Sequence, residues 1–488
     1  MAATGIRGLD DILSGGLARG RGFLLEGTPG TGKTTIALQF LLEGARAGER
    51  GLYVTLSETS DELHATADSH GWDLKGIEVF ELLPPENLLG DDQQQSLLYS
   101  SDLELGETTR RIFAEFDDAE PDRIVLDSLS EIRLLAQSSL RYRRQILAMK
   151  HFFAKRNATV LLLDDLTTEV DDKAVHSIAH GAIRLEELSP DYGAERRRLR
   201  VLKYRGNRFR GGYHDFIIET GGVRAFPRLV SGEHHTEFER DVLPAQSREL
   251  NALLGGGVER GSSVLVLGPA GAGKSVVTLT FITSAAARGE KSALFIFDEE
   301  RGLLMSRARG LGLDLEALEK SGHLTVTQVD AAELTPGEFS ERVRQSIERD
   351  GATTVVIDSL NGYQASMTEE RQLILHMHEL LQYCNRRGAT TFLTVAQHGL
   401  MGDMKAPIDL TYLADTVILL RYFEAAGEVR RAISVVKKRT SAHENTIREY
   451  WLDSHGVTLG DPLTEFHGVL RGTPTYNGGG KPKRRRRK

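Results

Sequence analysis

The stretch GTPGTGKT, residues 27–34, has a counterpart later in the chain, GPAGAGKS at residues 268–275. A mainly apolar run precedes each stretch, and an apolar helical pattern follows each lysine. A strand, a glycine-rich turn and then Lys-Thr or Lys-Ser opening a helix is the pattern of a P-loop, whose backbone N–H groups point at phosphates. The sequence therefore predicts two nucleotide-binding loops in one chain.

The likeness between the two stretches extends well beyond the loops. LSGGLARGRGFLLEGTPGTGKTTIALQF (13–40) aligns without a gap with LGGGVERGSSVLVLGPAGAGKSVVTLTF (254–281), and each loop lysine stands 25 residues before a glutamate. Such internal similarity indicates one structural unit written twice. We expect domains at 1–232 and 233–465, with 466–488 as a separate C-terminal segment. Their boundary is expected within 226–243, where hydrophobic periodicity lapses.

Short apolar strands alternate with amphipathic helices in both copies. Nearly continuous apolar strands such as RIVLD (123–127) and TVLLLDD (159–165) are typical of a parallel sheet covered by helices on both faces. Later runs, RRRLRVLKYRG in the first copy and RRAISVVKKRT in the second, read as antiparallel strands at the sheet edge. The predicted fold class is α/β, two tandem P-loop domains with a mostly parallel sheet and an antiparallel edge extension.

Composition points to a globular protein outside the membrane. Of the 488 residues 40% are hydrophobic and 27% charged, with no apolar run that could span a bilayer and no secretory-type N-terminus. The single cysteine, Cys384, suits a reducing cytoplasm. The net charge of −8 includes seven positive charges in the last eight residues, KPKRRRRK, so the remainder carries about −15. That tail is expected to be disordered in solution.

The expected ligand is ATP with Mg²⁺. In each P-loop the lysine reaches the β- and γ-phosphates and the next hydroxyl holds Mg²⁺. An aspartate at the end of a buried strand should complete the metal site, so the predicted metal residues are Thr34 with Asp127, and Ser275 with Asp358. The loop residues expected to bind nucleotide are Gly27, Thr28, Pro29, Gly30, Thr31, Gly32, Lys33, Thr34 and Thr35, and Gly268, Pro269, Ala270, Gly271, Ala272, Gly273, Lys274, Ser275 and Val276.

Hydrolysis also needs a carboxylate or similar group to activate the attacking nucleophile. Glu58 and Glu299 follow the strand after each loop helix, where they would face the γ-phosphate. The second copy has acids around that position, from Asp298 to Glu300, and adjacent carboxylates are expected to raise one another's pKa. The catalytic candidates are Glu58, Asp298 and Glu299, and the two copies are expected to be specialised.

Two pairs of cations occupy matching late strands, Lys203 with Arg205 and Lys437 with Arg439. Spacing alone leaves two interpretations open: ordinary solvated strand faces, or fingers that complete the nucleotide site of a neighbouring subunit.

Taken together, these motifs resemble the RecA-like ATPases, and within them the KaiC family of tandem-domain clock ATPases and autokinases. The resemblance covers nearly the whole chain and is most specific at LADTVILLRYFEAAGEVRRAISVVKKRTSAHENTIREYWL (413–452). It implies ATP hydrolysis in a homo-oligomer, expected to be a hexameric double ring with ATP between subunits, and it favours the trans-finger interpretation. FHGVLRGTPT (466–475) resembles the regulatory C-terminal segment of the family, which implies a protein signalling partner there.

The resemblance also implies serine/threonine autokinase activity in the second domain, but with departures. The acidic pair falls on Asp298 and Glu299, where the family has Glu first, and the acceptor pair falls on Thr411 and Tyr412, where it has Ser-Thr. An alternative is that Thr411 and Tyr412 are interface residues without phosphoryl chemistry. In the first domain Ser57 replaces the first acid, which puts its hydrolysis rate, not its nucleotide binding, in question.

Two other functions stay open at this point. A RecA-like DNA recombination or repair ATPase would need a basic, aromatic loop, but AQHGLMGDMKAPIDLTY (396–412) is nearly neutral, so a nucleic-acid partner is not favoured. In a nucleotide-gated scaffold, ATP would hold the ring together and its conformation would signal to a partner, with turnover incidental. The expected location is the cytoplasm, with no membrane partner.

Overall fold

The structure is a computed structural model of the chain. It describes residues 1–82, 97–166, 173–189, 193–364, 367, 370–397, 411–454, 456–471 and 474–476. The chain divides into two compact units, Met1–Arg228 and Leu229–Lys488.

The first unit is built around one nine-stranded sheet with the order β3-β2-β4-β5-β1-β6-β7-β8-β9. Its strands are β1 (Gly22–Gly27), β2 (Gly51–Thr55), β3 (Ile77–Glu81), β4 (Arg123–Asp127), β5 (Thr159–Asp165), β6 (Gly181–Leu188), β7 (Arg196–Tyr204), β8 (Tyr213–Glu219) and β9 (Gly222–Phe226). Its helices are α1 (Arg7–Ile12), α2 (Lys33–Arg46), α3 (Ser60–Ser69), α4 (Leu97–Ala119), α5 (Leu129–Ala136), α6 (Ser139–Lys155) and α7 (Lys173–Ile178).

The second unit repeats this sheet in the order β14-β13-β15-β16-β12-β17-β18-β19-β20. Its strands are β10 (Val242–Leu243), β11 (Val258–Glu259), β12 (Ser263–Gly268), β13 (Lys291–Ile296), β14 (Leu324–Gln328), β15 (Ala352–Asp358), β16 (Thr390–Ala396), β17 (Thr416–Ala425), β18 (Glu428–Lys438), β19 (Arg448–Asp453), β20 (Gly456–Pro462), β21 (Phe466–His467) and β22 (Thr475–Tyr476). Its helices are α8 (Arg248–Leu253), α9 (Lys274–Ala287), α10 (Arg301–Gly310), α11 (Leu315–Lys320), α12 (Pro336–Glu348), α13 (Leu360–Gln364) and α14 (Glu370–Arg386).

The predicted fold class is confirmed. From β3 to β6 the neighbouring strands pair in parallel, and β7 to β9 then extend the sheet antiparallel. The second unit has the same arrangement, with β17 parallel to β12 and β18 to β20 antiparallel. Six parallel strands place their carboxyl ends at one edge, where open α/β sheets bind ligands.

The apolar side chains explain why each sheet is covered on both faces. Along β1, Phe23 and Leu25 belong to one buried cluster, whereas Leu24 belongs to the other. Alternate residues of a strand point to opposite faces, so a continuous apolar strand needs a helical layer on each side. The second unit has the same division, with Val264 and Leu265 of β12 in different clusters.

Candidate functional site

Both P-loops follow the central strand of their sheet and end at a glycine in the left-handed region. Gly32 (φ 91°) precedes α2 and Gly273 (φ 95°) precedes α9. A Cβ on Gly32 would lie 2.5 Å from Ile218 of β8, and one on Gly273 would lie 2.5 Å from Leu452 of β19. Both the backbone angle and the close neighbour require glycine, and the result is a loop whose helix N-terminus can receive an anion.

The P-loop lysines fold back onto their own loops. Lys33 Nζ lies 2.9 Å from the carbonyl oxygens of Gly27 and Thr28, and it is only 7% exposed. It also forms an ion pair of 2.7 Å with Asp165 at the end of β5. Lys33 therefore contacts three oxygen atoms with its three N–H donors.

Lys274 has a simpler environment. Its Nζ contacts the carbonyl oxygens of Gly268 at 3.1 Å and Pro269 at 3.0 Å. Burial lowers its pKa, and the opposing charges of Asp358 and Asp298 show that both carboxylates lie near the amine. The registers β1–β5 and β12–β16 place Ala396 where the first unit has Asp165. No carboxylate pairs with Lys274 among the described residues.

Asp127 ends β4 as expected, beside the first P-loop. It is 6% exposed, and its carboxylate accepts a 2.5 Å hydrogen bond from the hydroxyl of Tyr53. Tyr53 also interacts with the side chain of Thr34, so one buried tyrosine connects the two predicted metal ligands. Burial raises the pKa of Asp127.

Asp358 has a different partner in the second unit. Its carboxylate accepts a 2.5 Å hydrogen bond from the hydroxyl of Thr394 on β16. The registers show why the partners differ, since Leu294 occupies the position of Tyr53 and Leu163 that of Thr394. Ser275 is the second residue of α9, matching Thr34 in α2.

Glu58 is the carboxylate with the strongest signature of a base. It is partly buried, and its side chain makes no hydrogen bond or ion pair within the described part of the chain. Burial and the nearby charge of Asp127 raise its pKa to about 6. A carboxylate with a pKa near the working pH is suited to accept a proton.

The acidic cluster of the second unit is more tightly held. The Asp298 carboxylate accepts a hydrogen bond from the hydroxyl of Ser359, and Glu299 forms a 2.5 Å ion pair with Arg307 of α10. Glu300 caps α10 by accepting from the backbone of Gly302 and Leu303, which lowers the pKa of Glu300. The expected mutual raising of pKa therefore does not hold for Glu300, because backbone N–H groups stabilise its charge.

The paired cations of the late strands bind backbone carbonyls of their own unit. In the first unit these carbonyls belong to the segment before β6, and in the second to the segment before β17. Lys203 Nζ donates to the carbonyls of His176 and Ala179, and Arg205 to that of Ser177. Lys437 and Arg439 bind the same way, as Lys437 Nζ lies 2.7 Å from the carbonyls of Thr411 and Ala414, and Arg439 contacts Tyr412 O at 2.8 Å. In each unit the two cations therefore fix this segment.

The predicted acceptor pair is thus structurally equivalent to His176 and Ser177 in the first unit. Tyr412 is 51% exposed, and Thr411 is partly buried. In the first unit His176 Nε2 instead lies 2.7 Å from the buried Glu26 carboxylate, which also pairs with Arg184.

Several site contacts were missed by the sequence reasoning. Asp165, Tyr53 and Thr394 were not singled out, although two consecutive acids ending the strand TVLLLDD could have marked Asp165. The candidate DNA-binding loop lies almost wholly outside the described residues, in 398–410, and so does the basic tail.

Fold and site together define a P-loop ATPase with two RecA-like domains. The KaiC ATPase family model matches residues 2–230 and again 244–463, and the chain belongs to this family. It is 30% identical over 97% of its length to the circadian clock protein KaiC3 of Synechocystis sp., covering 94% of that protein. It is 28% identical over 97% of its length to the circadian clock oscillator proteins KaiC of Parathermosynechococcus lividus and Synechococcus elongatus, covering 87% and 91% of them.

Within the described part of the chain, no helix is long and apolar enough to cross a membrane. The described residues also contain no group of three or more His, Cys, Asp or Glu side chains placed to hold a metal ion. A hydroxyl such as Thr34 with one carboxylate such as Asp127 is the oxygen donor set that suits Mg²⁺ bound mainly by phosphates and water.

Proposed function

We propose that the chain assembles into a homo-oligomeric ring, a hexamer in the family pattern. In this ring a neighbouring subunit completes each nucleotide-binding site. The supporting observation is the opposite placement of the two halves of each site. Ala182 aligns with Leu24 on one side and with Lys203 on the other, near the amino end of β1, whereas the P-loop follows its carboxyl end at Gly27. Arg205 lies further back, because its N–H donates to the carbonyl of His180, whose own N–H donates to the carbonyl of Gly22, the first residue of β1. The strand from Gly22 to Gly27 spans roughly 17 Å, so the side chain of Arg205 does not reach the P-loop of its own unit.

The second unit repeats this separation. Val417 aligns with Leu265 near the amino end of β12 and with Lys437 on β18, and Thr411 lies upstream of β17. Both Thr411 and the fingers therefore lie at the sheet edge opposite their own P-loop. Phosphoryl transfer to Thr411 would have to use ATP bound by another subunit.

In the first unit we assign hydrolysis to the groups around Lys33. Lys33 binds the β- and γ-phosphates. Thr34 and Asp127 would hold Mg²⁺, which would neutralise phosphate charge. Glu58 accepts a proton from the attacking water. The oxygen of that water bonds to the γ-phosphorus, and the bond between the γ-phosphorus and ADP breaks. Arg205 of the neighbour stabilises the developing negative charge.

In the second unit we assign ATP binding to Lys274, Ser275 and Asp358, with Asp298 and Glu299 at the γ-phosphate. The hydroxyl of Thr411 from a neighbour attacks the γ-phosphorus, its proton passes to one of these carboxylates, and ADP leaves. Tyr412 is the exposed alternative acceptor. Since Arg307 neutralises Glu299, we expect this unit to turn over ATP more slowly than the first.

The C-terminal segment supports a further part of the proposal. Val469 and Phe466 pack against Phe423, Ala425 and Ala432 of the β17–β18 hairpin. A partner that binds 466–476 would therefore act on the same hairpin that carries Lys437. We propose this segment as the signalling contact, and the cytoplasm as the location.

The test uses purified full-length chain with Mg²⁺ and γ-labelled ATP, following free phosphate and protein-bound label together. Lys33→Ala should remove most free phosphate, and Lys274→Ala should remove bound label. Label that maps to Thr411 or Tyr412 and disappears in Thr411→Ala or Tyr412→Phe supports the autokinase. Free phosphate without bound label refutes it and leaves an ATPase ring.

The two alternatives give different results in the same assay. A DNA recombination ATPase would show turnover stimulated by added DNA. A nucleotide-gated scaffold would still form rings, measured by analytical ultracentrifugation with ATP, and would still signal to its partner when Glu58→Gln and Glu299→Gln have removed turnover. If rings never form, even with Mg-ATP, the whole trans arrangement is wrong.

A further inference from the structure

The first unit contains a cavity to which the proposed function assigns no role. It has a volume of about 380 Å³ and lies between α6 and the amino ends of β1, β5 and β6. This is the edge opposite the P-loop of the same unit. A volume of this size is in the range of small-molecule sites.

The interior of the cavity is apolar. Its floor and walls include Ile146, Met149 and Phe153 of α6 and Val160 and Leu162 of β5. Buried apolar walls favour a ligand that brings a hydrophobic body out of water.

The mouth of the cavity is positively charged. Arg21, Lys150 and Arg205 line it and are solvent-exposed, and no lining residue is acidic. Burial, Arg21 and Arg205 lower the pKa of His180, another lining residue, as expected where several cations converge. A positive mouth over an apolar interior favours a ligand with one anionic end.

The second unit has lost these features. The matching strand registers place Ser262 at the position of Arg21 and Asp415 at that of His180. The matching bounds of α6 and α14 place Leu381 at the position of Lys150. Leu381 is buried there at 2% exposure. The larger cavity near that position, about 780 Å³, is lined by acids and bases together, including Glu259, Asp415 and Arg260. The matching position of the second unit therefore does not combine an apolar interior with a purely cationic mouth.

We propose that this cavity binds an amphipathic anion, a molecule with an aromatic or aliphatic body and one carboxylate, sulfonate or phosphate group. The apolar body enters between α6 and β5, and the anionic group lies at Arg21 and Lys150.

The site also has a route to the nucleotide. Ala179 lines the cavity and accepts a 2.7 Å hydrogen bond from Lys203, and Lys150 donates to the carbonyl of Ile178 at 2.9 Å. A bound ligand would contact the segment that holds Lys203 and Arg205. The ligand is therefore inferred to regulate hydrolysis at the neighbouring P-loop; this second step, unlike the binding itself, rests on the proposed function.

The experiment uses the full-length chain with saturating Mg-ADP, so that the nucleotide sites are filled. Anilinonaphthalene sulfonate is the anionic probe, and N-phenyl-naphthylamine, the same ring system without the charge, is its control. Fluorescence titration should show one saturable site per chain for the anion. Arg21→Ser and Lys150→Leu, which install the residues of the second unit, should each weaken anion binding by about tenfold, since each removes one of the positive charges that face the anionic group of the ligand. Neither change should alter binding of the neutral probe.

Met149→Trp fills the interior and should abolish binding of both probes, while thermal unfolding reports whether the variant is folded. The matched change in the second unit, Leu380→Trp, should leave probe binding intact if that variant folds. Equal affinity for the two probes, or anion affinity unchanged in Arg21→Ser and Lys150→Leu, overturns the proposed site. Binding only to dissociated chains and not to the ring would show a subunit contact and would also overturn it. Binding without any change in phosphate release would refute the regulatory step alone.

Discussion

Lys33 and Lys274 occupy matching positions in the two P-loops but have different partners. Asp165 lies 2.7 Å from Lys33, whereas Ala396 occupies the matching position beside Lys274. All three N–H donors of Lys33 already contact an oxygen atom, so a phosphate must replace one of these three oxygen partners. Asp165 is the partner whose charge competes with a phosphate, so the two loops should differ in nucleotide affinity.

The first prediction is that exchanging Asp165 and Ala396 changes the ATP affinities of the two P-loops in opposite directions. Asp165→Ala should tighten ATP binding in the first unit by about tenfold, and Ala396→Asp should weaken it in the second by a similar factor, as expected for a partly buried ion pair. Binding is measured by titration of fluorescent ATP, with Lys274→Ala or Lys33→Ala closing the other site. Unchanged affinity in both variants would mean that Asp165 does not compete with nucleotide.

The second prediction concerns the pH dependence of Glu58. Its pKa is raised to about 6, so the base form is lost as the pH falls through 6. Phosphate release by the Lys274→Ala chain should fall with a midpoint near that pH, and Glu58→Gln should abolish it. Asp165 is among the charges that raise this pKa, so Asp165→Ala should move the midpoint to lower pH. A profile flat down to about pH 5 would exclude Glu58 as the base.

The raised pKa also has a consequence for stability. A carboxyl with a higher pKa in the folded than in the unfolded chain favours folding below its unfolded value, and this contribution is lost as the pH rises through about 6. At pH 7 Glu58→Gln should therefore be more stable than the wild type, by about 1 kcal/mol or less after allowing for solvent screening. Near pH 4 the gain should vanish.

At the scale of elements, the start of α2 depends on one backbone conformation. Gly32 is in the left-handed region, and its missing Cβ leaves room for Ile218 of β8. The same relation holds for Gly273 and Leu452. The P-loop helix and the antiparallel edge therefore pack against each other at a point where only glycine fits.

The third prediction compares Gly32, which precedes α2, with Gly106, which lies within α4. Gly32→Ala should destabilise the first unit by about 2 kcal/mol or more, through strain and overlap with Ile218, and should abolish ATP binding there. Gly106 lies within α4, with no atom within 4 Å of an added Cβ. Gly106→Ala should stabilise by about 0.5–1 kcal/mol because alanine restricts the unfolded chain. Urea unfolding monitored by circular dichroism measures both, and equal effects would contradict the packing argument.

At the scale of the whole molecule, each half-site lies at a different sheet edge. The P-loop and Glu58 lie at the carboxyl edge, and Arg205 lies at the amino edge. Under the proposed trans arrangement a single chain holds two incomplete halves of a site, so assembly and turnover should be inseparable in the first unit.

The fourth prediction is that two inactive chains restore activity when mixed. On a Lys274→Ala background, Lys33→Ala lacks the P-loop lysine and Arg205→Ala lacks the finger. Random mixing at equal amounts gives about a quarter of interfaces with both groups intact, so phosphate release should return to about a quarter of the parent level. Mixing two Lys33→Ala preparations is the control. No recovery, with mixed rings verified by sedimentation, would show that Arg205 does not act in trans.

The sequence alone was sufficient for the features that depend on neighbours along the chain. The glycines and lysine of a P-loop must be contiguous to surround a phosphate, and burial on both faces leaves continuous apolar strands, so both could be predicted from the local pattern. The duplication could be detected from the sequence as well, because the two copies repeat the same local pattern. Only the tertiary structure decided which distant groups meet: Asp165 with Lys33, Tyr53 with Asp127, and Thr394 with Asp358. These contacts depend on strand order and register across the sheet, which bring together residues that no local periodicity connects.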